Sequence, residues 1–309
     1  MRLRRTIPTL LLPALLSMTG CIYIDGEGFG RFSRDFHFNF PLKPGGRLSV
    51  ESFNGSVEIS AWDQDNVDIS GTKYAPTSEQ ADALKVDVDH APDSVSVRAE
   101  RQYDWHGNHG VRFVIKVPRA TVLDRIVTSN GSIHVSDASG PARLKSSNGG
   151  IRVEKFHGSL DAQTSNSSIE LDGIDGDAIA HSSNGRIRAE GIRGSLDADT
   201  SNSSVTAIVE SADRPVRVET RNGSIDLTLA AGFTGGVRAH TNNSGITLHL
   251  ADPVNARVTA RTSNGSVTSD FEARMRGELR KNDIDGEIGS GGMLIDLSTS
   301  NGSIRLLRR

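Results

Sequence analysis

The chain has 309 residues, and its 35 basic and 38 acidic residues give a formal charge of −3. This near-neutral balance does not support nucleic-acid binding, which requires a basic surface. Hydrophobic residues make up 36% and aromatic residues 5% of the chain, whereas glycine occurs 32 times. The composition disfavours a core of bulky side chains and suits many short strands joined by turns.

Residues 1–21 resemble a bacterial lipoprotein signal peptide. Three arginines within the first five residues precede an apolar stretch at 7–16, which is too short to span a bilayer as a helix. Small residues at 19–20 then precede Cys21. This is the chain's one cysteine, so it cannot form an internal disulfide. We expect Cys21 to be lipidated; an ordinary secretory signal with a chance cysteine is the alternative.

Residues 22–46 predict a tether followed by a first strand. Residues 47–120 alternate apolar and polar side chains irregularly, which predicts a β-rich N-terminal cap or the first coils of the repeat that follows. Within this part, Thr77 and Gln80 have the spacing of a capping box and predict one or two helical turns. The segments on either side of the loop 106–110 predict a hairpin.

Residues 121–309 are periodic. An asparagine marks each unit, and the steps between markers are 18, 18, 18, 18, 20, 21, 21 and 37 residues. The last step has the length of two units, which predicts a coil without a marker. Residues 146–169 also match 182–205 at 17 of 24 positions. A fixed period near 18 residues is typical of repeat architectures. The markers are Asn130, Asn148, Asn166, Asn184, Asn202, Asn222, Asn243, Asn264 and Asn301, with Asn54 carrying the same signature upstream.

Each unit contains two short strands, one on either side of its marker. An aliphatic side chain recurs four residues before and three after the asparagine, and polar residues stand between. Stacking the units would bury these aliphatic stripes. We therefore predict an all-β, single-stranded β-solenoid (β-helix or β-roll) of about 18–21 residues per coil. One interior row is expected to contain Ile133, Ile151, Ile169 and Ile187.

The repeated Ser-Asn-Gly predicts the corner of each coil. Asn and Gly tolerate positive φ, so we expect a left-handed residue there, with Asn in that role where Ser replaces Gly. Stacked corners would place asparagines and hydroxyls in ladders that hydrogen-bond along the rod. The second corner is also glycine-rich, at Gly140, Gly158, Gly176 and Gly194.

Two groups of residues are candidate metal sites. His106 and His109 lie near Asp104 but lack convincing third and fourth zinc ligands, so exposed loop histidines are the preferred interpretation. The Asp-rich stretches 171–178 and 282–287 lack calcium-roll and EF-hand spacing, which leaves weak surface binding of calcium as the alternative. We predict no metal and no cofactor.

Two pairs of carboxylates are candidates for glycan cleavage. Asp161 with Glu170, or Asp197 with Asp199, has suitable chemistry. Such catalysis also needs a cleft and a perturbed pKa, and neither is indicated by the sequence. A charged outer face explains these residues, and we predict no catalytic residue.

Residues 47–67 and 113–135, together with the repeated Thr-Ser-Asn-Gly-Ser-Ile, resemble a bacterial family of uncharacterised envelope proteins called putative adhesins. The resemblance covers roughly residues 40–308. It implies an exported or membrane-attached β-solenoid, with binding rather than catalysis as its activity.

Taken together, these features predict a non-catalytic lipoprotein of the bacterial cell envelope, periplasmic or surface-exposed. Cys21 would attach it to a membrane, and its solenoid faces would bind an envelope glycan or protein as an adhesin or interaction module. Two alternatives remain open at this point: a polysaccharide-acting solenoid enzyme, and an accessory protein in envelope stress signalling.

Overall fold

The computed structural model describes residues 32–101, 106–210, 214–231, 233–275 and 280–309. Within these ranges the chain is all-β, with one sheet of 13 strands, one of 14 strands and a single short helix. That helix has six residues and could not cross a bilayer. The predicted lipidation site, Cys21, lies outside the described residues.

The N-terminal part contains seven strands and the helix. They are β1 (Phe32–Pro41), β2 (Arg47–Glu51), β3 (Val57–Trp62), β4 (Asn66–Ala75), α1 (Ser78–Ala83), β5 (Lys85–Ala91), β6 (Ser94–Glu100) and β7 (Gly110–Pro118). Residues 32–41 of the segment predicted as a tether and first strand therefore form β1. As predicted, Thr77 caps α1, and its hydroxyl accepts a hydrogen bond from the Gln80 backbone N–H at 3.2 Å.

Twenty further strands follow. The first ten are β8 (Val122–Thr128), β9 (Ile133–Ser136), β10 (Ala142–Ser146), β11 (Ile151–His157), β12 (Leu160–Thr164), β13 (Ile169–Asp175), β14 (Ala178–Ser182), β15 (Ile187–Ile192), β16 (Leu196–Thr200) and β17 (Val205–Val209). The rest are β18 (Val216–Thr220), β19 (Ile225–Leu229), β20 (Val237–Thr241), β21 (Ile246–Leu250), β22 (Ala256–Thr262), β23 (Val267–Ser269), β24 (Ala273–Met275), β25 (Asp283–Ile288), β26 (Met293–Thr299) and β27 (Ile304–Arg308).

From β8 to β21 the chain alternates between the two sheets, and each strand from β8 to β19 pairs in parallel with the strand two further along. Ile133 lies beside Ile151, Ile151 beside Ile169, and Ile169 beside Ile187. All four are at most 1% exposed. The predicted interior row is confirmed. Each buried isoleucine contributes about 1.5–3 kcal/mol from burial, so such rows are the main source of stability.

The predicted hairpin across 106–110 is wrong. Strand β6 lies in the 14-stranded sheet, antiparallel to β5, whereas β7 lies in the 13-stranded sheet between β3 and β4. The physical reason is that β5 and β6 are separated by only two residues and close a tight hairpin of their own. Strand β7 is left to extend the other sheet.

The prediction of a coil without a marker asparagine between Asn264 and Asn301 is also wrong. Residues 273–275 and 283–288 form β24 and β25, and β25 pairs antiparallel with both β22 and β24 at the edge of the 14-stranded sheet. Because the chain reverses direction there, β26 returns to lie between β20 and β22. The unit of Asn301 therefore sits between the units of Asn243 and Asn264.

The corners do not use the predicted left-handed backbone. Among the described glycines that follow a marker asparagine, only Gly55 has positive φ, and none of the marker asparagines does. Glycine is required for a different reason, which is close stacking of the corners. A Cβ on Gly131 would lie 1.7 Å from the Gly55 carbonyl oxygen, and one on Gly185 would lie 1.6 Å from the Ser167 carbonyl oxygen.

Candidate interaction surface

A ladder of asparagine side chains runs along the corners. Each Nδ2 donates to the Oδ1 of the asparagine in the neighbouring unit, for example from Asn148 to Asn130 at 2.6 Å and from Asn184 to Asn166 at 2.8 Å. All rungs point the same way, and Asn54 ends the ladder by donating to the His109 carbonyl at 2.9 Å. The order of rungs is Asn54, Asn130, Asn148, Asn166, Asn184, Asn202, Asn222, Asn243, Asn301 and Asn264.

A second ladder of hydroxyls lies beneath the asparagines. The Thr200 hydroxyl donates to the Gly185 carbonyl of the neighbouring corner at 2.9 Å, and Thr241 donates to Gly223 at the same distance. These side chains are buried, so the bonds satisfy polar groups that water does not reach. Both ladders hold neighbouring units in register. Their hydrogen bonds use most of the donors and acceptors of the corner side chains.

A polar groove follows the outer face of the 14-stranded sheet beside these corners. We define it by the outward column Lys145, Gln163, His181 and Asp199, one residue from each of β10, β12, β14 and β16. An open depression of about 380 Å³ contains all four, together with Ser165 and other corner serines on its rim. A depression of about 480 Å³ continues it past Arg143, and one of about 400 Å³ lies further along at His240 and Arg261.

The groove side chains are available to a ligand. Among the residues that the structure describes, none forms a hydrogen bond or ion pair with the side chains of Lys145, His181 or Asp199. Gln163 is half-buried and donates to the Asp161 carboxylate at 3.0 Å. The groove therefore presents an ammonium, an amide, an imidazole and a carboxylate, one strand spacing of about 4.8 Å apart.

Elsewhere on the outer faces, charges pair with one another. The Arg152 guanidinium donates to Glu154 at 2.7 Å, and Arg217 donates to Glu219 at 3.0 Å. These hydrogen bonds lower the pKa of both carboxyl groups. Exposed pairs of this kind add little to stability. Their effect is to neutralise charge on the outer faces, whereas the side chains of Lys145, His181 and Asp199 in the groove form no such pair within the described residues.

The fold separates one of the two carboxylate pairs considered for glycan cleavage and keeps the other on one face. Asp161 lies on β12 in the 14-stranded sheet, whereas Glu170 lies on β13 in the other sheet. Their side chains face opposite sides of the molecule and cannot act on one bond. Asp197 and Asp199 share one outer face of β16, and Asp199 belongs to the groove.

His109 is buried rather than exposed, so the interpretation of 106–110 as a loop with two exposed histidines holds only for His106. The His109 ring lies 5.7 Å from the Phe53 ring between centroids, and its Nε2 is 3.3 Å from an Arg101 nitrogen. Burial lowers its pKa. The signal in the sequence is Phe53, which stands where most units have a serine directly before the marker asparagine and supplies an apolar surface. Asp104 lies outside the described residues.

The Asp-rich stretches are tied to partners in other units. Asp177 accepts hydrogen bonds from the Ser195 hydroxyl at 2.7 Å and from Arg214 at 2.6 Å, and the bonds from Ser195 lower its pKa. Asp283 and Asp285 lie 3.4 and 3.6 Å from Arg261. In the described ranges no three His, Cys, Asp or Glu side chains come together as a candidate metal site.

One feature was not predicted from the sequence. A depression of about 540 Å³ lies near the ends of β19 and β21, lined by apolar groups that include Leu229, Phe233, Val254 and Met293. Its residues come from units with 20 or 21 residues and from the returning strand β26. Their juxtaposition depends on the changed strand order, which no local pattern indicates.

Comparison with known proteins gave remote structural similarities. No family model matches the chain, and no curated protein matches it. A putative adhesin from Bacteroides fragilis is 11% identical with a TM-score of 0.42, covering 89% of this chain and 97% of its own. A putative lipid binding protein from Parabacteroides distasonis is 14% identical with a TM-score of 0.35, covering 92% and 99%. A putative cell adhesion protein from Clostridium sporogenes is 9% identical with a TM-score of 0.22, covering 89% and 100%.

Proposed function

We propose that this protein is a non-catalytic interaction module of the bacterial cell envelope that binds an envelope glycan or protein along the polar groove. The observation that carries the proposal is the column Lys145, Gln163, His181 and Asp199. These side chains of mixed donor and acceptor character are exposed or half-buried at regular spacing. A long, open, polar groove suits extended ligands bound by many weak contacts.

The fold that supports this groove is, in our proposal, a β-solenoid of about 18–21 residues per coil. The support is the pairing of each strand with the strand one unit further along, in both sheets. Residues 47–120 would act as a cap, because antiparallel pairs formed by β1, β4 and β5 lie at that end.

Binding to intact bacterial cells tests the proposal. A triple variant, Gln163→Ala with His181→Ala and Asp199→Ala, removes the centre of the groove, and we expect cell binding to fall at least tenfold. The matched control carries Glu170→Ala, Arg188→Ala and Thr206→Ala on the next strands of the opposite sheet and should bind within twofold of wild type. Equal binding by wild type and the groove variant would contradict the proposal.

A polysaccharide-acting enzyme is the main alternative, and the same preparation distinguishes it. Purified wild-type protein incubated with the polysaccharides of those cells should leave chain length unchanged. New reducing ends or unsaturated products, lost in the groove variant, would show turnover and replace binding by catalysis.

Membrane attachment through Cys21 forms part of the proposal. The support is the sequence of residues 1–21. Cys21→Ser should move the protein from the membrane fraction to the soluble fraction, because the thiol that would carry lipid is gone. A variant that still fractionates with membranes would exclude lipid anchoring at this residue.

A further inference from the structure

Among the residues that the structure describes, no strand pairs with the outer side of β1. It is the outermost strand of the 13-stranded sheet and pairs with β4 over all ten residues without a bulge. The other edge strands are shorter: β23 and β24 have three residues each, and β5 has seven. Proteins normally shorten, charge or cover their edges, because open backbone groups recruit another strand.

The outward backbone groups of β1 can be assigned. The Leu42 N–H donates to the Asp65 carbonyl at 3.0 Å, which continues the register in which Pro41 lies opposite Asn66. Hydrogen-bonded residues alternate along an antiparallel pair, so even-numbered residues of β1 bond to β4. The backbone N–H and C=O groups of Ser33, Asp35, His37 and Asn39 therefore point away from the sheet. Pro41, which has no N–H, stands on the same outward side.

The inner side of this edge carries a row of aromatic rings. Phe36, Phe38 and Phe40 are half-buried and pack against the core, with centroid distances of 5.7 and 6.3 Å between successive rings. Further along, Phe32 is covered by Ala81 and Leu84, at and just beyond the end of α1. An added strand would cover the rest of the row and extend the interior.

We propose that β1 binds β1 of a second copy of this chain, antiparallel and centred on Phe36. Avoidance of like side chains favours this register over its two neighbours that keep both aromatic rows on the inner face. Centred on Phe36, Asp35 lies opposite His37 of the second copy, whose ring nitrogen also lies 2.6 Å from Asp68 of its own chain. Ser33 lies opposite Asn39. If the centre of the pairing moved to residue 35, Asp35 would lie opposite Asp35 of the second copy. If it moved to residue 37, His37 would lie opposite His37, and like side chains directly opposite one another are unfavourable.

The same register also matches the inner side. Phe36 lies opposite Phe36 of the second copy, and this aromatic pair is favourable across strands. Phe38 lies opposite Arg34, whose guanidinium already donates to Asp82 of its own chain at 2.7 Å. The four residues whose backbone N–H and C=O both point outward all form hydrogen bonds to the second copy in this register. Pro41, which has no N–H, lies outside the paired segment. The result is a two-fold symmetric dimer with one continuous sheet.

Sedimentation equilibrium of the full chain carrying Cys21→Ser tests the association. The expected mass at micromolar concentration is twice the 33.1 kDa of one chain. Asp35→Lys places Lys opposite His37 and should weaken the dimer about tenfold, because it acts at two symmetric positions. Asp87→Lys makes the same charge change on the edge strand of the other sheet and should leave the dimer within twofold of wild type.

Disulfide crosslinking in the same background tests the register. Residues opposite each other in a non-hydrogen-bonded antiparallel pair have Cα atoms about 4.5 Å apart, within the range of a disulfide. Phe36→Cys should form a linked dimer on mild oxidation, and Phe38→Cys, which faces Arg34, should not.

Three results would overturn the proposal. One is a monomer at all concentrations, as expected if residues 22–31 cover β1 within the same chain. The second is equal weakening by Asp35→Lys and Asp87→Lys. The third is stronger crosslinking at position 38 than at position 36. Because Asp35 is exposed, its variant remains informative even if loss of the Phe36 ring prevents folding.

Discussion

Two non-glycine residues in the described ranges adopt a left-handed backbone, and both lie in one stacked column. Asp137 and Lys155 have φ of 56° and 50°, and the next two positions are Gly173 and Gly191 with φ of 66°. The four members of the column are one unit apart in sequence, so the same left-handed position is repeated in successive units. Its first two members occupy a conformation that disfavours side chains.

Lys155→Gly should therefore stabilise the protein, by up to about 1 kcal/mol, because glycine adopts positive φ without steric cost. Gly173→Ala should destabilise it by a similar amount. A Cβ there has ordinary contacts of 3.8 Å with Lys155, so backbone strain is the main cost. Urea unfolding of both variants measures the difference. If Lys155→Gly is as stable as or less stable than wild type, the φ assignment is wrong.

His109 makes the stability of the N-terminal part depend on pH. Its pKa is lowered by burial from 6.5, so the unfolded chain binds the proton more tightly than the folded one. Stability from the neutral ring is then complete above about pH 6.5 and is lost as the pH falls toward the lowered folded pKa. His109→Gln, which does not titrate, should reduce the loss of thermal stability between pH 7.5 and pH 5. An unchanged pH dependence would contradict burial of the imidazole.

At the scale of strands, the aliphatic columns could be predicted because burial alternates with a period of two and repeats with each unit. The corner glycines were assigned correctly to corners but for the wrong reason. The preference of glycine for positive φ says nothing about the distance between stacked backbones. A Cβ on Gly131 would lie only 1.7 Å from the carbonyl oxygen of the neighbouring corner, and this close approach is what requires glycine. The groove could not be predicted, because it depends on which polar column remains without ion pairs.

Ile187→Asp tests the inner columns. The side chain is fully buried between Ile169 and Val205. A carboxylate there would have no partner, and we expect a loss of several kcal/mol of stability. Arg188→Asp on the adjacent outward position is the control and should change stability by less than about 1 kcal/mol. Equal melting temperatures for the two variants would exclude the inward assignment of the column.

The asparagine ladder is tested by Asn184→Asp. Asn184 donates to Asn166 at 2.8 Å and accepts from Asn202 at 2.8 Å. A carboxylate keeps the acceptor but loses the donor, so two oxygens would face each other at neutral pH. We expect a loss of about 1–2 kcal/mol that decreases as acid protonates the new carboxyl group. A loss independent of pH would mean that the rung is not a hydrogen bond.

At the scale of the whole molecule, the ends differ from the middle. Parallel strands joined unit by unit form the middle. Antiparallel pairs close both sheets at the N-terminal end and the 14-stranded sheet at the other end, where the 13-stranded sheet ends in the parallel strand β23. The return of β26 between β20 and β22 shows why a period alone does not fix topology. The 37-residue step was consistent with two consecutive coils, but it contains a reversal, which sequence spacing does not distinguish.

Spin-label distances along the outer face of the 14-stranded sheet test the stacking most directly. In a Cys21→Ser background, one label replaces Lys145 and the second replaces Glu219, His240, Ser298 or Arg261, which lie four, five, six and seven strands away. At about 4.8 Å per strand, the predicted distances are about 19, 24, 29 and 34 Å. Ser298 should thus be closer to Lys145 than Arg261 is, despite its greater separation in sequence. Distances that do not increase in even steps, or a longer distance to Ser298 than to Arg261, would contradict the stacked order on which the groove depends.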